Sequence, residues 1–265
     1  MPTFIRDDVK IQYDVHGSGY PLTLFSPGGM NSIRENWRVL PTQPNRRLPW
    51  IDPRTALSDV FQVISMDQRN AGDSFASISA SDGWANFTRD QMALLDHLGV
   101  SQSHLMGGCI GSSFCLAFIR AAPSRVTAAV LQNPIGLTPE NTGHFLRMFD
   151  EWAVHLRSRR SDVDESALSG LRHNLFGGEF VFSVDRAFLR ECPVPILILA
   201  GDDTFHPKAI SEEIASLAPR AEIVFEWAGS ERYAQTRDLV YRFLQAHTPK
   251  ARSMSTTRID RSSQF

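Results

Sequence analysis

Short apolar runs alternate with amphipathic stretches along most of the chain. After an opening hairpin, "TFIRDDVKIQYDVHGSG", strands are predicted in residues 21–29, 61–74, 105–108, 126–134, 194–203 and 221–229. Helical spacing of apolar residues follows in "WANFTRDQMALLDHLGV", "AISEEIASLAP" and "QTRDLVYRFLQAH". Such alternation is typical of a parallel sheet covered by helices on both faces. The pattern therefore predicts an α/β fold, with a mostly parallel, doubly wound sheet of about eight strands.

The alternation stops between residues 135 and 190. Two amphipathic helices, "HFLRMFDEWAVHLRSRR" and "ESALSGLRHNLF", are predicted there, followed by the aromatic stretch "EFVFSV". Large apolar side chains are concentrated in this region, namely Phe145, Phe149, Trp152, Phe176, Phe180 and Phe182. We interpret residues 135–190 as a small helical cap on a core formed by residues 1–134 and 191–248. The tail, residues 249–265, has little apolar content and is predicted to be disordered.

The stretch "LMGGCIGSSFCLAFI" predicts a strand, a glycine-rich turn and a helix, with Cys109 at the turn. The residues Gly-Gly-Cys-Ile-Gly at 107–111 fit the pattern G-x-S-x-G, with cysteine in the serine position. In that pattern a sharp turn between strand and helix exposes a nucleophile, and small neighbours prevent clashes. The alternative is a glycine-rich turn that holds a buried, structural cysteine.

Three further motifs accompany this turn. They are "SPGG" after a strand, "DQRNAGDS" at residues 67–74, and "ILILAGDDTFHP". Together with the order of elements, they resemble the α/β-hydrolase family of the capped, single-domain type over residues 3–248. The second motif matches the family pattern D-x-R-G-x-G-x-S, except that Asn70 replaces the first glycine.

The resemblance implies a role for several residues. Cys109 would be the nucleophile, and the oxyanion hole would use the backbone N–H of Ile110 with that of Gly29 or Met30. The catalytic acid would be Asp203, which lies four residues before Pro207 as in the family, rather than its neighbour Asp202. Alternatively, either carboxylate caps the helix that follows.

The catalytic histidine of the family follows the last strand, but the corresponding stretch here, "EWAGSERYAQTRD", contains none. His206 lies three residues after Asp203 and is the candidate base, while His144 or His155 could reach the site from the cap. Arg232 lies about where the family places its histidine. Since a thiol ionises near pH 8.5, a helix N-terminus and a cation such as Arg232 could stabilise a Cys109 thiolate without a base.

Two classes of function remain open. An enzyme would act through Cys109 on a small apolar ester, thioester or lactone, including polyketide-like metabolites, with an atypical or incomplete triad. Acyl transfer or C–C bond chemistry on the same scaffold is the alternative reaction, because an arginine cannot shuttle protons. A non-catalytic protein would bind an apolar ligand in the same pocket. In each case Phe145, Phe149, Trp152 and Arg232 are predicted to line the pocket.

Composition narrows the choice of partners. The chain has 265 residues, of which 42% are hydrophobic and 21% charged, as in an ordinary globular protein. The net charge of -2 offers no basic surplus for nucleic acid. No signal peptide and no apolar run of about 20 residues is evident. The three cysteines show no metal-ligand spacing, and no cofactor motif occurs. We therefore expect a cytoplasmic enzyme without metal or cofactor, whose protein partner, if any, is a second copy in a homodimer.

Overall fold

The computed structural model describes residues 2–39 and 48–250. Its centre is an eight-stranded sheet of order β1-β2-β4-β3-β5-β6-β7-β8. The strands are β1 (Thr3–Arg6), β2 (Val9–His16), β3 (Tyr20–Phe25), β4 (Phe61–Met66), β5 (Ser103–Gly108), β6 (Val126–Gln132), β7 (Ile196–Leu199) and β8 (Ala221–Val224). Strand β2 pairs antiparallel with β1 and β4, and all other pairs are parallel. The predicted fold class is confirmed.

Helices cover both faces of the sheet. They are α1 (Pro53–Ala56), α2 (Trp84–His97), α3 (Ile110–Ala121), α4 (His144–Arg157), α5 (Glu165–Phe176), α6 (Arg186–Arg190), α7 (Lys208–Leu217) and α8 (Tyr233–Ala246). One apolar cluster includes side chains from α2, α3 and α7, and a second, on the other face, includes side chains from α8. Helix α3 is buried over most of its length because it packs directly on β5 at the centre of the sheet.

The register of the central strands determines which loops meet. Phe25 at the end of β3 pairs with Gly107 of β5, and Gly108 pairs with Gln132 at the end of β6. Gln132 in turn pairs with Leu199, the last residue of β7. Because these four strands run parallel and end at one edge, the loops that follow β3, β5 and β7 lie side by side.

Between β6 and β7, the chain forms α4, α5 and α6. The apolar residues of α4 recur at helical spacing, so that Phe145, Phe149 and Trp152 share one buried face. We refer to residues 135–190 as the cap segment. Of the tail at 249–265, residues 251–265 lie outside the described residues. Among the residues described, no helix has the length and apolarity needed to cross a membrane.

Candidate active site

Cys109 occupies a strained turn between β5 and α3. Its φ of 57° and ψ of -121° are rarely adopted by a residue with a side chain, and the turn is closed by the Cys109 N–H, which donates to the Gln132 carbonyl at 2.9 Å. A methyl group at Gly107 would lie 2.1 Å from the Gly111 carbonyl oxygen, and one at Gly111 would lie 1.9 Å from the Phe25 carbonyl oxygen. Both flanking positions therefore require glycine, which explains the motif sterically.

Asp203 and His206 lie on one tight turn after β7, which we call the acid–base turn (residues 203–206). The His206 Nδ1 atom lies 2.8 Å from each carboxylate oxygen of Asp203. The backbone N–H groups of Phe205 and His206 each donate to Asp203 Oδ1 at 2.9 Å. A methyl group at Gly201 would lie 2.2 Å from the His206 carbonyl oxygen, so the turn folds back onto the end of β7. The carboxylate therefore fixes the orientation of the imidazole.

His206 and Cys109 form a polar pair. With Nδ1 on Asp203, the other ring nitrogen of His206, Nε2, is buried, and the Cys109 thiol is half-buried. Burial raises the pKa of Cys109, but the nearby charge of His206 and the N–H groups of Ile110 and Gly28 outweigh it, so the pKa is lowered. Burial likewise opposes protonation of His206, yet Cys109 and Asp203 raise its pKa to about 10. Both shifts favour the thiolate–imidazolium form of the pair.

Two backbone N–H groups face the sulfur of Cys109. They belong to Ile110 and Gly28 and lower the pKa of the thiol. The chain turns at Gly28, whose φ is 116°, one residue before the predicted Gly29 and Met30. Gly29 and Met30 instead enter a short 3₁₀ helix, Gly29–Asn31. Which N–H groups form an oxyanion hole stays a prediction.

The loop that carries Gly28 is held by a buried amide. Asn36 Nδ2 donates to the Pro27 carbonyl at 2.8 Å and to the Asn31 carbonyl at 2.7 Å. A methyl group at Gly28 would lie 2.1 Å from this nitrogen, so only glycine fits there. The N–H group of Gly28 is thus held in place near the Cys109 thiol.

The three aromatic residues predicted for the pocket are all buried, at 2% exposure for Phe145, 1% for Phe149 and 3% for Trp152. The structure brings only the first to the acid–base turn, where the ring of Phe145 lies 5.7 Å from that of Phe205, edge to face. Phe149 and Trp152 pack against each other further along α4, with ring centres 5.2 Å apart. They support the apolar interior of the cap segment behind Phe145.

A surface groove of about 260 Å³ lies beside this site. Its lining residues are His144, Arg147, Met148, Glu151 and Phe205. Phe205 belongs to the acid–base turn, and the Met148 sulfur would lie 2.6 Å from a methyl group at Gly29. The groove therefore runs between the acid–base turn and the loop of Gly28. Apart from their apolar character, nothing in the sequence pointed to Met148 or Phe205.

Arg232 is not the cation beside Cys109. Its guanidinium forms ion pairs with Glu226 at 2.8 Å and with Glu231 at 3.3 Å. Both carboxylates lie on the same loop as Arg232 and hold its guanidinium there. The group that lowers the pKa of the thiol by its charge is His206. Of the other candidates, Asp202 and His155 are exposed, and His144 contacts Phe205, with ring centres 5.6 Å apart.

The motif at residues 67–74 holds the fold together. Asp67 Oδ1 accepts hydrogen bonds from the N–H and from Nε of Arg34, at 2.8 and 2.9 Å. Asn70 has a φ of 60°, which is the conformation for which the family pattern uses glycine and which asparagine tolerates. Its Oδ1 also accepts hydrogen bonds from the Ala76 N–H at 3.0 Å and from Arg160 at 2.7 Å. Over the described residues, no cluster of His, Cys, Asp or Glu is arranged to hold a metal ion.

Titration of the thiols tests the ion pair directly. Burial raises the pKa of both Cys115 and Cys192, so these two remain protonated while Cys109 ionises. The difference in thiolate absorbance between the wild type and Cys109→Ser should therefore show a midpoint below the ordinary value of about 8.5. The imidazolium partner should keep its proton up to about pH 10. A midpoint at or above the ordinary value contradicts the ion pair.

The chain is similar in sequence to known proteins. A sequence profile of the alpha/beta hydrolase fold matches residues 27–177. A putative carbamate hydrolase RutD of Azorhizobium caulinodans is 30% identical over 133 residues, which are 50% of this chain and 44% of that protein. The chain therefore spans less than half the length of this relative.

Solved structures are similar over nearly the whole chain. A meta-cleavage product hydrolase from Pseudomonas fluorescens, as a mutant, superposes with a TM-score of 0.66 at 19% identity, over 91% of this chain and 96% of that one. An enol-lactonase from Burkholderia xenovorans superposes with a TM-score of 0.62 at 19% identity, over 92% of this chain and 100% of that one. At this level of identity the likeness concerns the fold.

Proposed function

Because this chain belongs to the α/β-hydrolase family, we propose that it is a hydrolase in which Cys109 attacks a small apolar ester, thioester or lactone. The observation that carries the proposal is the juxtaposition of three side chains. The charge of His206 acts on the thiol of Cys109, and the Asp203 carboxylate holds Nδ1 of the same imidazole at 2.8 Å. This arrangement supports the proposal, because covalent acyl transfer needs a nucleophile, a base and an acid that orients the base.

The first half of the reaction forms an acyl-enzyme. The Cys109 thiolate attacks the carbonyl carbon, forming a C–S bond, and the carbonyl π electrons move to the oxygen. The N–H groups of Gly28 and Ile110 stabilise this oxyanion. When the carbonyl re-forms, the bond to the leaving oxygen or sulfur breaks, and His206 gives its Nε2 proton to that atom. The enzyme then carries a thioester on Cys109 and a neutral imidazole on His206.

The second half of the reaction consumes water. Neutral His206 takes a proton from a water molecule whose oxygen attacks the thioester carbon. The tetrahedral intermediate collapses by breaking the C–S bond, and the product leaves as a carboxylic acid, which ionises in solution. The thiolate of Cys109 and the imidazolium of His206 are restored. Because His206 carries protons in both halves, this pathway has the proton shuttle that an arginine cannot provide.

The surroundings of the site support an apolar substrate. Phe145 and Phe205 are in edge-to-face contact beside the acid–base turn, and apolar side chains of the cap segment continue behind them. A thiolate is itself a good leaving group, so attack on an unactivated amide tends to reverse before the amine departs. Esters, thioesters and lactones expel better leaving groups, and lactones have the added advantage of a strained or enol-type leaving oxygen.

Mass spectrometry of the intact protein tests the proposal. After incubation with 4-nitrophenyl butyrate or a short acyl thioester, the wild type should gain the mass of one acyl group and release product in a burst. Cys109→Ala should gain no mass and show no burst. Cys192→Ala is the matched control, since Cys192 is a buried thiol whose pKa is raised by burial, and it should be acylated like the wild type. A wild type that is neither acylated nor active on any of these esters is a binding protein instead.

A further inference from the structure

Asn141 links the cap segment to the acid–base turn. Its side chain is fully buried, at 0% exposure. Nδ2 donates one hydrogen bond to the Gly136 carbonyl at 2.8 Å and another to the Thr204 carbonyl at 2.9 Å. Oδ1 accepts the N–H of Thr138 at 2.8 Å. Both amide hydrogens and the amide oxygen of Asn141 therefore take part in hydrogen bonds. The bonds to Gly136 and Thr138 hold the loop of Asn141 itself, and the bond to Thr204 connects this loop to the acid–base turn.

The position of Thr204 gives this third bond its importance. Thr204 follows Asp203 in the four-residue turn that ends at His206, so fixing its carbonyl fixes the peptide between acid and base. The turn has little support from burial, because the Asp203 side chain is 60% exposed. On its inner side, the turn packs closely against the end of β7, since a methyl group at Gly201 would lie 2.2 Å from the His206 carbonyl oxygen. The turn therefore has no room to move inwards.

The outer side of the turn is held by residues of the cap segment. The rings of His144 and Phe145 lie 5.6 and 5.7 Å from the ring of Phe205. These ring contacts limit sliding of the turn but have no fixed direction, whereas the hydrogen bond from Asn141 is directional. Without it, the outer side of the turn would be held by apolar contact alone.

We propose that Asn141 is a positioning residue that keeps His206 against Cys109 by fixing the Thr204 carbonyl, without touching the substrate. The inference rests on the proposed pairing of Cys109 with His206. In the family pattern, the histidine comes from the loop after the last strand. Here the histidine shares a turn with the acid, and an amide from the cap segment fixes that turn. A misplacement of about 1 Å at a catalytic group costs on the order of 100-fold in rate.

Two substitutions remove the bridge in different ways. Asn141→Asp keeps the shape of the side chain and an acceptor for Thr138, but it loses both donors and places a carboxylate oxygen against two carbonyl oxygens. Asn141→Ala removes all three bonds without creating a clash. It therefore tests the inference if the aspartate variant does not fold. Circular dichroism shows which variants are folded.

The chain offers a matched control at Asn174 on α5. Its Nδ2 also donates to two carbonyl oxygens, those of Ala80 at 3.0 Å and Asp82 at 2.8 Å, and so ties the cap segment to the core. Neither of these carbonyls belongs to the acid–base turn. Asn174 is exposed whereas Asn141 is buried, so Asn174→Asp and Asn174→Ala remove a more solvent-accessible bridge between cap segment and core and leave the position of His206 unchanged.

The readout is the pH dependence of Cys109 alkylation by iodoacetamide, combined with steady-state kinetics on an activated ester. In both Asn141 variants the midpoint of alkylation should rise towards that of an ordinary thiol, because His206 no longer faces the sulfur. The value of kcat should fall about 100-fold while KM changes little, since the lost interaction acts on the reacting groups. The Asn174 variants should match the wild type in both measurements.

The outcomes separate this inference from the proposed function. If the wild-type thiol is ionised at neutral pH and folded Asn141 variants keep its midpoint and kcat, the positioning role of Asn141 is wrong and the proposed function stands. If the Asn174 variants shift the midpoint as much as the Asn141 variants, the effect is a general loosening of the cap segment, and the inference is also wrong. A wild-type thiol with an ordinary midpoint overturns the ion pair itself and the inference with it.

Discussion

Replacement of His206 by glutamine is expected to lower kcat for ester hydrolysis by about 10³-fold, within the range attributed to a general acid and base. The glutamine amide is polar and of similar reach, but it neither carries a proton nor bears a charge at neutral pH. In the proposed mechanism, two steps therefore suffer. The pKa of Cys109 rises because the imidazolium that lowers it is gone, and the water that attacks the acyl-enzyme loses its base.

The two effects are separable in a single-turnover experiment on an activated ester. The rate of acylation should recover as the pH is raised, because the Cys109 thiol then ionises without help, whereas hydrolysis of the acyl-enzyme should stay slow. The acylated form should therefore accumulate in His206→Gln. His155→Gln, at an exposed position in the last turn of α4, is the control and should behave as the wild type. A kcat for His206→Gln within about tenfold of the wild type would mean that another group is the base.

The strained turn at Cys109 could be predicted from the sequence because steric constraints alone specify it. Backbone atoms lie within 2.2 Å of where a side chain would begin at Gly107 and Gly111, so the spacing of glycines around Cys109 records the turn in the sequence. The glycine spacing is therefore a direct trace of a local backbone constraint. Asp203 was predicted instead from the family resemblance, through its distance to Pro207, and its role as the catalytic acid stays a prediction.

The partner of Cys109 was harder to predict, because its position depends on how the turn folds. A separation of three residues between Asp203 and His206 is compatible with a ring that points to solvent or to the sulfur. The turn, closed by backbone hydrogen bonds between residues 203 and 206, decides the direction. Arg232 illustrates the opposite case. Its place in the sequence suggested the site, but a long side chain pairs with the nearest carboxylates, here Glu226 and Glu231.

The prediction of the N–H groups near the sulfur was limited by a different ambiguity, the choice between neighbouring residues of one loop. In "SPGG" two adjacent glycines can both turn the chain, and only the buried side chain of Asn36 shows that Gly28 makes the turn at the sulfur. Asn141 left no usable signal, because its partners, Gly136 and Thr204, are backbone carbonyls, and one of them is remote in sequence. Contacts of this kind can be found only in three dimensions.

The second large effect concerns stability. Arg69→Met is expected to lower the free energy of unfolding by about 3–5 kcal/mol, the cost of removing one partner from a buried ion pair. Arg69 is 7% exposed, and its Nε donates to Asp90 at 2.8 Å, while Nη1 lies 3.4 Å from Asp82. Asp90 is 1% exposed and, without Arg69, keeps an ion pair with the partly exposed guanidinium of Arg6 at 3.0 Å.

Urea unfolding measures the change, and an exposed pair of similar geometry serves as the control. Arg172 Nε donates to Asp150 at 2.7 Å, and both side chains are open to solvent. Arg172→Met should therefore lower the free energy of unfolding by less than about 1 kcal/mol, because water screens this pair and solvates Asp150 once Arg172 is removed. The methionine at position 69 retains apolar contact with Phe87, over which the Arg69 guanidinium lies at 5.8 Å, so lost packing is minimised. If Arg69→Met is no more destabilising than Arg172→Met, the motif at residues 67–74 does not stabilise the core through Asp90.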